Sequence, residues 1–316
     1  MGENKKFKIS SVASILIIPL IIVFCLGFFK NMKVGEKNVS PQDSVAKSQE
    51  NNAEAELGFI DIGQGMASLI IADGKTVLID AGPEETGTKL QMELQKKDIS
   101  KIDLLILSHN HEDHIGGADV IITKFQIGQI VMSAVPGTCR AYENVLDAAK
   151  YRNIKITELA NDAEVKISDR FSIDIFVPDF ATDDLNNTSL FCQVHVGDVV
   201  MSVAGDAEKE EEEWLLENKA LAETDIYVVN HHGSSSSSSP KFLDKMDPQC
   251  AVISCARGND FGHPHKSVLN ELKKRDIKVW RTDEQGTVSC TISGNKVNWN
   301  CPSSTTWAPG EEKTNN

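Results

Sequence analysis

Three histidines and one aspartate lie close together in residues 108–117, whose sequence is SHNHEDHIGG. His109 and His111 are two residues apart, so in an extended segment their side chains point to the same side. Asp113 and His114 follow, where the glycine pair predicts a turn into a helix. This spacing offers two pairs of ligands to two neighbouring cations, and the alternative, a solvated polar loop, does not explain it. Imidazole nitrogen and carboxylate oxygen suit Zn²⁺, and also Mn²⁺ or iron, better than Ca²⁺.

The other candidate ligands each follow an apolar run that predicts a strand, as KIDLLIL of residues 101–107 does for the histidine segment. Asp206 ends one such run and is expected to bridge the two cations, the alternative being a helix N-cap. Asp80 ends another, and we expect it to hydrogen-bond to ligands and fix their orientation. After a third run, His232 is expected to bind the second cation and His231 to face the site, with the reverse order left open.

His263, in the sequence GHPH of residues 262–265, is a candidate to donate to an anionic substrate or to a leaving group. Capping of the following helix is the alternative. The six serines of residues 234–239 predict a mobile loop over the site. We expect no serine nucleophile among them, because a metal-bound hydroxide makes one unnecessary. The acidic run in residues 208–217 predicts a helix with a solvated face.

The chain divides by composition into five parts. Residues 1–8 are lysine-rich and predict a cytoplasmic tail, and residues 9–29 are uncharged and long enough to cross a bilayer. We expect a retained single-pass signal anchor with the remainder outside the cell membrane; a cleaved signal peptide and a secreted product are the alternative. Residues 30–56 predict a flexible linker, residues 57–301 a folded domain, and residues 302–316 a disordered tail.

The formal net charge of the 316-residue chain is −14. The first 56 residues hold seven lysines against six acids, so almost all of the negative charge belongs to the remainder. This balance argues against a broad electrostatic surface for nucleic acid. It does not exclude a nucleic-acid substrate, because bound cations reverse the local field in a metal site.

Predicted strand hairpins alternate with predicted helices in two halves of similar layout. Asp73-Gly74 and Gly197-Asp198 are two-residue turn signals, each between two apolar runs. The pattern suggests two sheets packed face to face with helices outside, although periodicity alone establishes only a mixed α and β fold.

Several of these motifs resemble those of a known family. SHNHEDHIGG resembles the H-x-H-x-D-H signature of metallo-β-lactamase-fold hydrolases. FIDIGQGMAS, LIDAG, SHNHEDHIGG, NNTSL, AGDAE, NHHGS and FGHPHKSVL occur in the order seen in the extracellular hydrolase domain of ComEC-type competence (DNA uptake) proteins. The resemblance extends from residue 57 to residue 288, most of the chain beyond the predicted anchor.

The resemblance implies an α/β (α+β) fold, the four-layer αββα metallo-β-lactamase-like sandwich, over residues 57–301. It implies a Zn²⁺ cofactor (one or two ions, with Mn²⁺ possible in its place), hydrolysis of phosphodiester bonds with DNA as the substrate, and competence-type uptake machinery as a partner. The expected mechanism is attack by a metal-bound hydroxide. The residues expected to hold metal are His109, His111, Asp113, His114, Asp206 and His232. The residues expected to act in catalysis are Asp113, His231 and His263.

Two positions depart from the pattern of the resembled proteins. Met66 stands where ComEC-type proteins commonly have aspartate, and the Asn186-Asn187 loop stands where many related enzymes supply a further histidine ligand. We expect Asn187 to lie just behind the ligands, as Asp80 does. The alternatives are a phosphodiesterase acting on a cell-surface ester such as phosphorylcholine and a catalytically inactive binding domain.

Overall fold

The computed structural model describes residues 54–310. The predicted tail at residues 1–8, the predicted anchor at residues 9–29 and nearly all of the predicted linker lie outside the described residues. Within residues 54–310, no helix is both long enough and apolar enough to cross a membrane.

Fifteen strands and eight α-helices are described between residues 54 and 310. The strands are β1 (Ala55–Phe59), β2 (Ser68–Ala72), β3 (Lys75–Ile79), β4 (Lys101–Leu107), β5 (Gln126–Ser133), β6 (Ile156–Leu159), β7 (Ala163–Lys166), β8 (Phe171–Phe176), β9 (Phe191–Val196), β10 (Val199–Val203), β11 (Ile226–Val228), β12 (Cys250–Ile253), β13 (Lys278–Arg281), β14 (Val288–Ser293) and β15 (Lys296–Trp299). The helices are α1 (Gly87–Lys96), α2 (Glu112–Ile115), α3 (Ala118–Lys124), α4 (Arg140–Tyr151), α5 (Lys209–Asn218), α6 (Pro240–Met246), α7 (Lys266–Lys274) and α8 (Thr282–Gln285).

The strands form two sheets. The first has the order β15-β14-β1-β2-β3-β4-β5-β6, and the second has the order β13-β12-β11-β10-β9-β8-β7. Strands β3 to β6 are parallel in the first sheet, and strands β10 to β13 are parallel in the second. Ligands of such sheets bind beyond the carboxyl ends of the strands, so the loops after β3, β4, β10, β11 and β12 are the place for a site.

The hydrophobic core lies in three layers. Ile70 of β2 and Val194 of β9 belong to the layer between the two sheets. Leu69, the neighbour of Ile70, points to the opposite face and belongs to the layer under α1, α3 and α4. Tyr227 of β11 packs with Phe242 of α6 in the third layer, which α7 also covers. Helices therefore cover the outer face of each sheet, which confirms the predicted four-layer αββα sandwich.

The ends of the folded domain lie farther out along the chain than the sequence indicates. Strand β1 begins at Ala55, before the predicted start at residue 57. Residues 302–310, predicted to be part of a disordered tail, pack against the domain. The Arg281 guanidinium donates to the carbonyl of Ala308 at 2.7 Å, and Trp307 joins the core layer under α7. These partners are distant in sequence, so the polar composition of the tail did not reveal them.

Helix α5 has the solvated acidic face that its sequence predicts, formed by Glu210, Glu213 and Glu217, but Glu211 and Glu212 on its inner face are fully buried. Glu212 accepts hydrogen bonds from the backbone of Ser238 at 2.5 Å and of Ser239 at 2.8 Å. It also accepts one from the Asn230 side chain at 3.0 Å. The serine run, predicted to be a mobile loop, is thus held against α5 by a buried carboxylate.

Candidate metal centre

Two acids and two histidines converge where the carboxyl ends of the two sheets meet. One ligand atom from each of Asp113, His114, Asp206 and His232 lies within 4.8 Å of the other three. His114 Nε2 and Asp206 Oδ1 are 3.0 Å apart, and His232 Nε2 is 3.3 Å from Asp113 Oδ2 and 3.4 Å from Asp206 Oδ1. The first two residues follow β4 of one sheet, and the other two follow β10 and β11 of the other sheet.

The unused atoms of this cluster fit a divalent cation. His114 Nε2, Asp206 Oδ1 and His232 Nε2 are buried and have no hydrogen-bond partner. The opposite ring nitrogens are occupied, because His114 Nδ1 donates to Asp80 Oδ2 at 2.7 Å and His232 Nδ1 donates to the carbonyl of Ser254 at 2.8 Å. Burial opposes a charge on His114 and His232, but the nearby carboxylates raise the pKa of both imidazoles. A cation would therefore replace a proton on each Nε2, and such buried N and O donors suit Zn²⁺ or Mn²⁺.

The other predicted ligand pair lies beside this cluster and is oriented differently. The rings of His109 and His114 are 4.3 Å apart between centroids. His109 Nε2 lies 3.0 Å from His111 Nδ1, so these two imidazoles face each other. The structure thus brings all six predicted ligands into one region, but only four of them converge on a common point.

Three residues at the site have backbone conformations that side chains other than glycine rarely adopt. Asp80 (φ 61°), His231 (φ 49°) and His232 (φ 56°) are all in the left-handed region. Such residues persist only where the surroundings hold them, and they cluster at functional sites. Here Asp80 is held by His114, and His231 by the 3.1 Å contact between its Nδ1 and Glu208 Oε1.

Opposite charges at the cluster keep its carboxylates ionised. Burial opposes the charge on Asp206, but the nearby imidazoles of His114 and His232 hold the pKa of Asp206 well below its usual value. Burial lowers the pKa of His109 well below its usual value, and the charge of His114 acts in the same direction. Ionised carboxylates and a neutral His109 are the protonation states in which these side chains bind metal.

His263 lies at the same edge and is neutral near pH 7. Burial, followed by the charges of His232 and His231, lowers the pKa of His263 to about 3. The Gln64 amide is oriented by Ala256, whose N–H donates to Gln64 Oε1 at 3.2 Å. The Gln64 Nε2 amide then lies 3.5 Å from His263 Nδ1 and donates to it. The neutral His263 ring therefore carries its proton on its own Nε2. The geometry favours hydrogen-bond donation by His263 over transfer of an extra proton.

Comparison with known proteins agrees with the fold. Residues 60–257 match the metallo-beta-lactamase superfamily. The chain belongs to this superfamily. ComE operon protein 3 of Bacillus subtilis is 32% identical over 257 residues, which cover 75% of this chain and 33% of that protein. Recombination protein 2 of Haemophilus influenzae is 28% identical over 237 residues, which cover 72% of this chain and 28% of that protein.

The chain therefore spans about a third of the length of these curated relatives. Their names confirm the resemblance to competence proteins of the superfamily. The crystal structure of CmlA, a diiron beta-hydroxylase from Streptomyces venezuelae, has a TM-score of 0.53 at 12% identity, covering 76% of this chain and 54% of that one. At this identity the likeness concerns the fold alone.

The positions at which the chain departs from other superfamily members have structural roles in this chain. Asn187, expected to lie just behind the ligands, hydrogen-bonds to the start of α5: its Oδ1 accepts from the backbone of Glu208 at 3.1 Å and of Glu211 at 3.4 Å. It therefore fixes the start of α5, a role decided by distant partners that the sequence does not show. Met66 is buried in the core layer between the sheets.

Sequence reasoning missed several side chains that support the site. Ser108 donates through its backbone to Asp80 Oδ1 and through its hydroxyl to Asp80 Oδ2, both at 2.7 Å. Gly205 (φ 50°) leaves room for it, because a Cβ there would lie 2.5 Å from the Ser108 hydroxyl. Glu208, Gln64 and Ser254 were also not identified. Ser254 directly follows β12, so the rule that parallel strands end at a common edge was the available signal.

Replacement of Asp80 by asparagine should lower the affinity for a divalent ion by about 10–100-fold, the usual cost of losing a carboxylate behind a metal-binding imidazole. Asparagine offers only one acceptor oxygen, whereas Ser108 and His114 together present three donors to Asp80. Competition with a chromogenic chelator measures the affinity. The control is Asp103→Asn, because Asp103 accepts from Thr76 in the same sheet but outside the site. Equal affinities for the two variants would contradict the role assigned to Asp80.

Proposed function

We propose that the folded domain is a metal-dependent phosphodiesterase that cleaves DNA outside the cell membrane. The observation that carries the proposal is the set of buried, unpartnered atoms of His114, Asp206 and His232, aimed at one point together with Asp113. Nitrogen and oxygen donors of this kind suit Zn²⁺ as the ion, with Mn²⁺ as the alternative. The competence and recombination relatives support DNA as the substrate.

The residues divide into those that hold metal and those that contact the substrate. Asp113, His114, Asp206 and His232 would hold one ion, and His109 and His111 a second. A bound divalent cation lowers the pKa of water and stabilises negative charge on phosphate oxygens. His263 is expected to donate its Nε2–H to the leaving oxygen. His231, held by Glu208, keeps its Nε2 at 3.5 Å from Asp206 Oδ2 and so helps to orient that carboxylate.

The predicted location and partners follow from the same proposal. Residues 9–29 would anchor the chain as a single membrane-spanning segment, with the domain outside the membrane. Competence-type uptake machinery is the proposed partner, since relatives named ComE operon protein 3 and Competence protein ComA share this domain.

A substrate panel tests the activity. The purified full chain, loaded with Zn²⁺ or Mn²⁺, should hydrolyse single- or double-stranded DNA and bis-p-nitrophenyl phosphate but not nitrocefin. Asp113→Ala and His111→Ala should each abolish hydrolysis, because each removes a ligand, while circular dichroism shows the fold retained. Hydrolysis of a phosphorylcholine ester but not of DNA would favour the cell-surface alternative. Wild-type rates in either variant would contradict the proposed function.

A further inference from the structure

Three aromatic rings form a column that leads from solvent to the metal centre. The Phe261 and His263 rings are stacked, with centroids 5.5 Å apart and planes at 21°. The His263 and His232 rings are also stacked, at 6.2 Å and 29°. The exposed fraction rises along the column, from 3% for His232 and 5% for His263 to 59% for Phe261. The outer end of the column is thus the solvent-exposed phenyl ring of Phe261, which the His263 ring separates from the metal-binding side chain of His232.

The loop that carries Phe261 is fixed by hydrogen bonds. The buried Asn259 side chain accepts from the backbone of Phe261 at 3.1 Å and of His263 at 2.9 Å. It donates to the carbonyl of His263 at 2.7 Å, and His265 Nε2 donates to the carbonyl of Phe261 at 3.1 Å. These hydrogen bonds hold the Phe261 ring in solvent in one orientation, and a binding site requires side chains that are held in this way.

Part of the exposed apolar surface lies at this edge of the domain. Four large apolar side chains are exposed among residues 54–310: Met92, Val135, Tyr151 and Phe261. Val135 lies in the loop after β5, where its carbonyl accepts from the Asn110 side chain, between two of the metal-centre histidines. Two of the four therefore belong to loops that contact the site, one from each sheet.

The negative net charge of the chain limits the kinds of contact by which it can bind a polynucleotide. A net charge of −14 argues against a broad electrostatic surface for phosphates. Proteins that bind single strands obtain much of their affinity from aromatic rings on which bases stack, and every unpaired base offers a face for this. A paired base inside a duplex offers no such face, because its neighbours in the duplex cover both sides.

We propose that Phe261 is a stacking platform for an unpaired base of the substrate, next to the phosphodiester bond that is cleaved. The inference rests on the proposed function and narrows its substrate to single-stranded or unpaired DNA. The Phe261 ring, backed by His263, holds the base while the adjoining phosphate lies at the metal centre.

The test compares Phe261→Ala with wild-type protein on a fluorescently labelled single strand and on the same strand with abasic sites. For wild type, removal of the bases should raise Kd and KM by about 10-fold, the size of one stacking contact. Phe261→Ala should bind both strands equally weakly, and Phe261→Trp should restore the preference for bases. Both constants are measured with metal present, Kd by anisotropy on strands with hydrolysis-resistant phosphorothioate linkages and KM on unmodified strands. Tyr151→Ala is the control, because Tyr151 is also an exposed aromatic residue. It lies at the C-terminal end of α4, whereas Cys139, just before the helix, contacts Asn110 of the histidine segment. The two ends are about 18 Å apart along the helix.

The two readouts separate the inference from the function on which it rests. Base-dependent binding that Phe261→Ala abolishes, without hydrolysis of any strand, would support the platform and contradict the phosphodiesterase. Hydrolysis with equal KM for wild type and Phe261→Ala would overturn the platform and leave the phosphodiesterase. Binding of the duplex as tightly as the single strand would also overturn the platform, since its bases are paired.

Discussion

Replacement of Asp206 by asparagine should reduce hydrolysis by at least about 10²–10³-fold, the cost of removing one fixed electrostatic group from an active site. Asp206 is the residue that touches most of the cluster, because Oδ1 lies near His114 and His232 while Oδ2 lies near His231. Asparagine keeps the shape of the side chain but removes the charge that holds a cation among these imidazoles. Metal content by plasma mass spectrometry should fall together with the rate.

A matched control is available in the same sheet. Asp174 forms an ion pair with His195 at 3.0 Å on β8 and β9, outside the metal centre. Asp174→Asn should therefore leave metal content and hydrolysis unchanged. This comparison separates the effect of losing the Asp206 carboxylate from the effect of losing any carboxylate in the sheet. If Asp206→Asn retained bound metal and the wild-type rate, the metal centre assigned here would be wrong.

Replacement of Glu211 by glutamine should stabilise the protein at neutral pH by about 1–3 kcal/mol, because folding at pH 7 requires this carboxylate either to take up a proton or to bury its charge. Burial raises the pKa of Glu211 well above its usual value, although the nearby Ser189 backbone N–H acts in the opposite direction, and neither carboxylate oxygen has a hydrogen bond of normal geometry. The folded state therefore binds this proton more tightly than the unfolded state, so stability falls as pH rises above about 4.5, the unfolded pKa. The gain from glutamine should be large at pH 7 and small at pH 4.5.

The adjacent residue provides the control, with the opposite sign expected. Both oxygens of Glu212 accept hydrogen bonds, from Asn230, Ser238 and Ser239. Burial raises the pKa of Glu212 too, but in Glu212→Gln the amide nitrogen would face an N–H whichever way it turned, at a cost of about 1–3 kcal/mol. Thermal unfolding of both variants at pH 7 and 4.5 measures the effects, since 1 kcal/mol corresponds to about 2–4 °C in a domain of this size. A lower melting temperature for Glu211→Gln at pH 7 would contradict the account of α5.

The parts of the site that are local in sequence could be predicted, because their geometry follows from nearby residues. The spacing of the segment from His109 to His114 indicates metal binding, and the position of Asp80 and Asp206 directly after apolar strands indicates that they lie at the site. Parallel strands bring such ends to one edge. Joining the two halves required the further assumption that the two sheets pack face to face, which the family resemblance supplied and the structure confirms.

The parts that depend on partners far along the chain could not be predicted. The sequence gives no sign that Glu212 binds the backbone of the serine run, or that Asn187 binds the start of α5. The same holds for Ala308, whose partner Arg281 lies 27 residues earlier. In each case the partner is distant in sequence, so neither local spacing nor composition indicates the contact.

The position of the metal ligands along the chain also determines when, during synthesis, the protein can first bind metal. Asp113 and His114 are synthesised 92 or more residues before Asp206 and His232. A ribosome-bound fragment that ends before Asp206 can fold much of the first sheet yet lacks half of the ligands. Such a fragment should hold the ion poorly, so a hydrolase built in this way stays inactive until the second half of the chain has emerged.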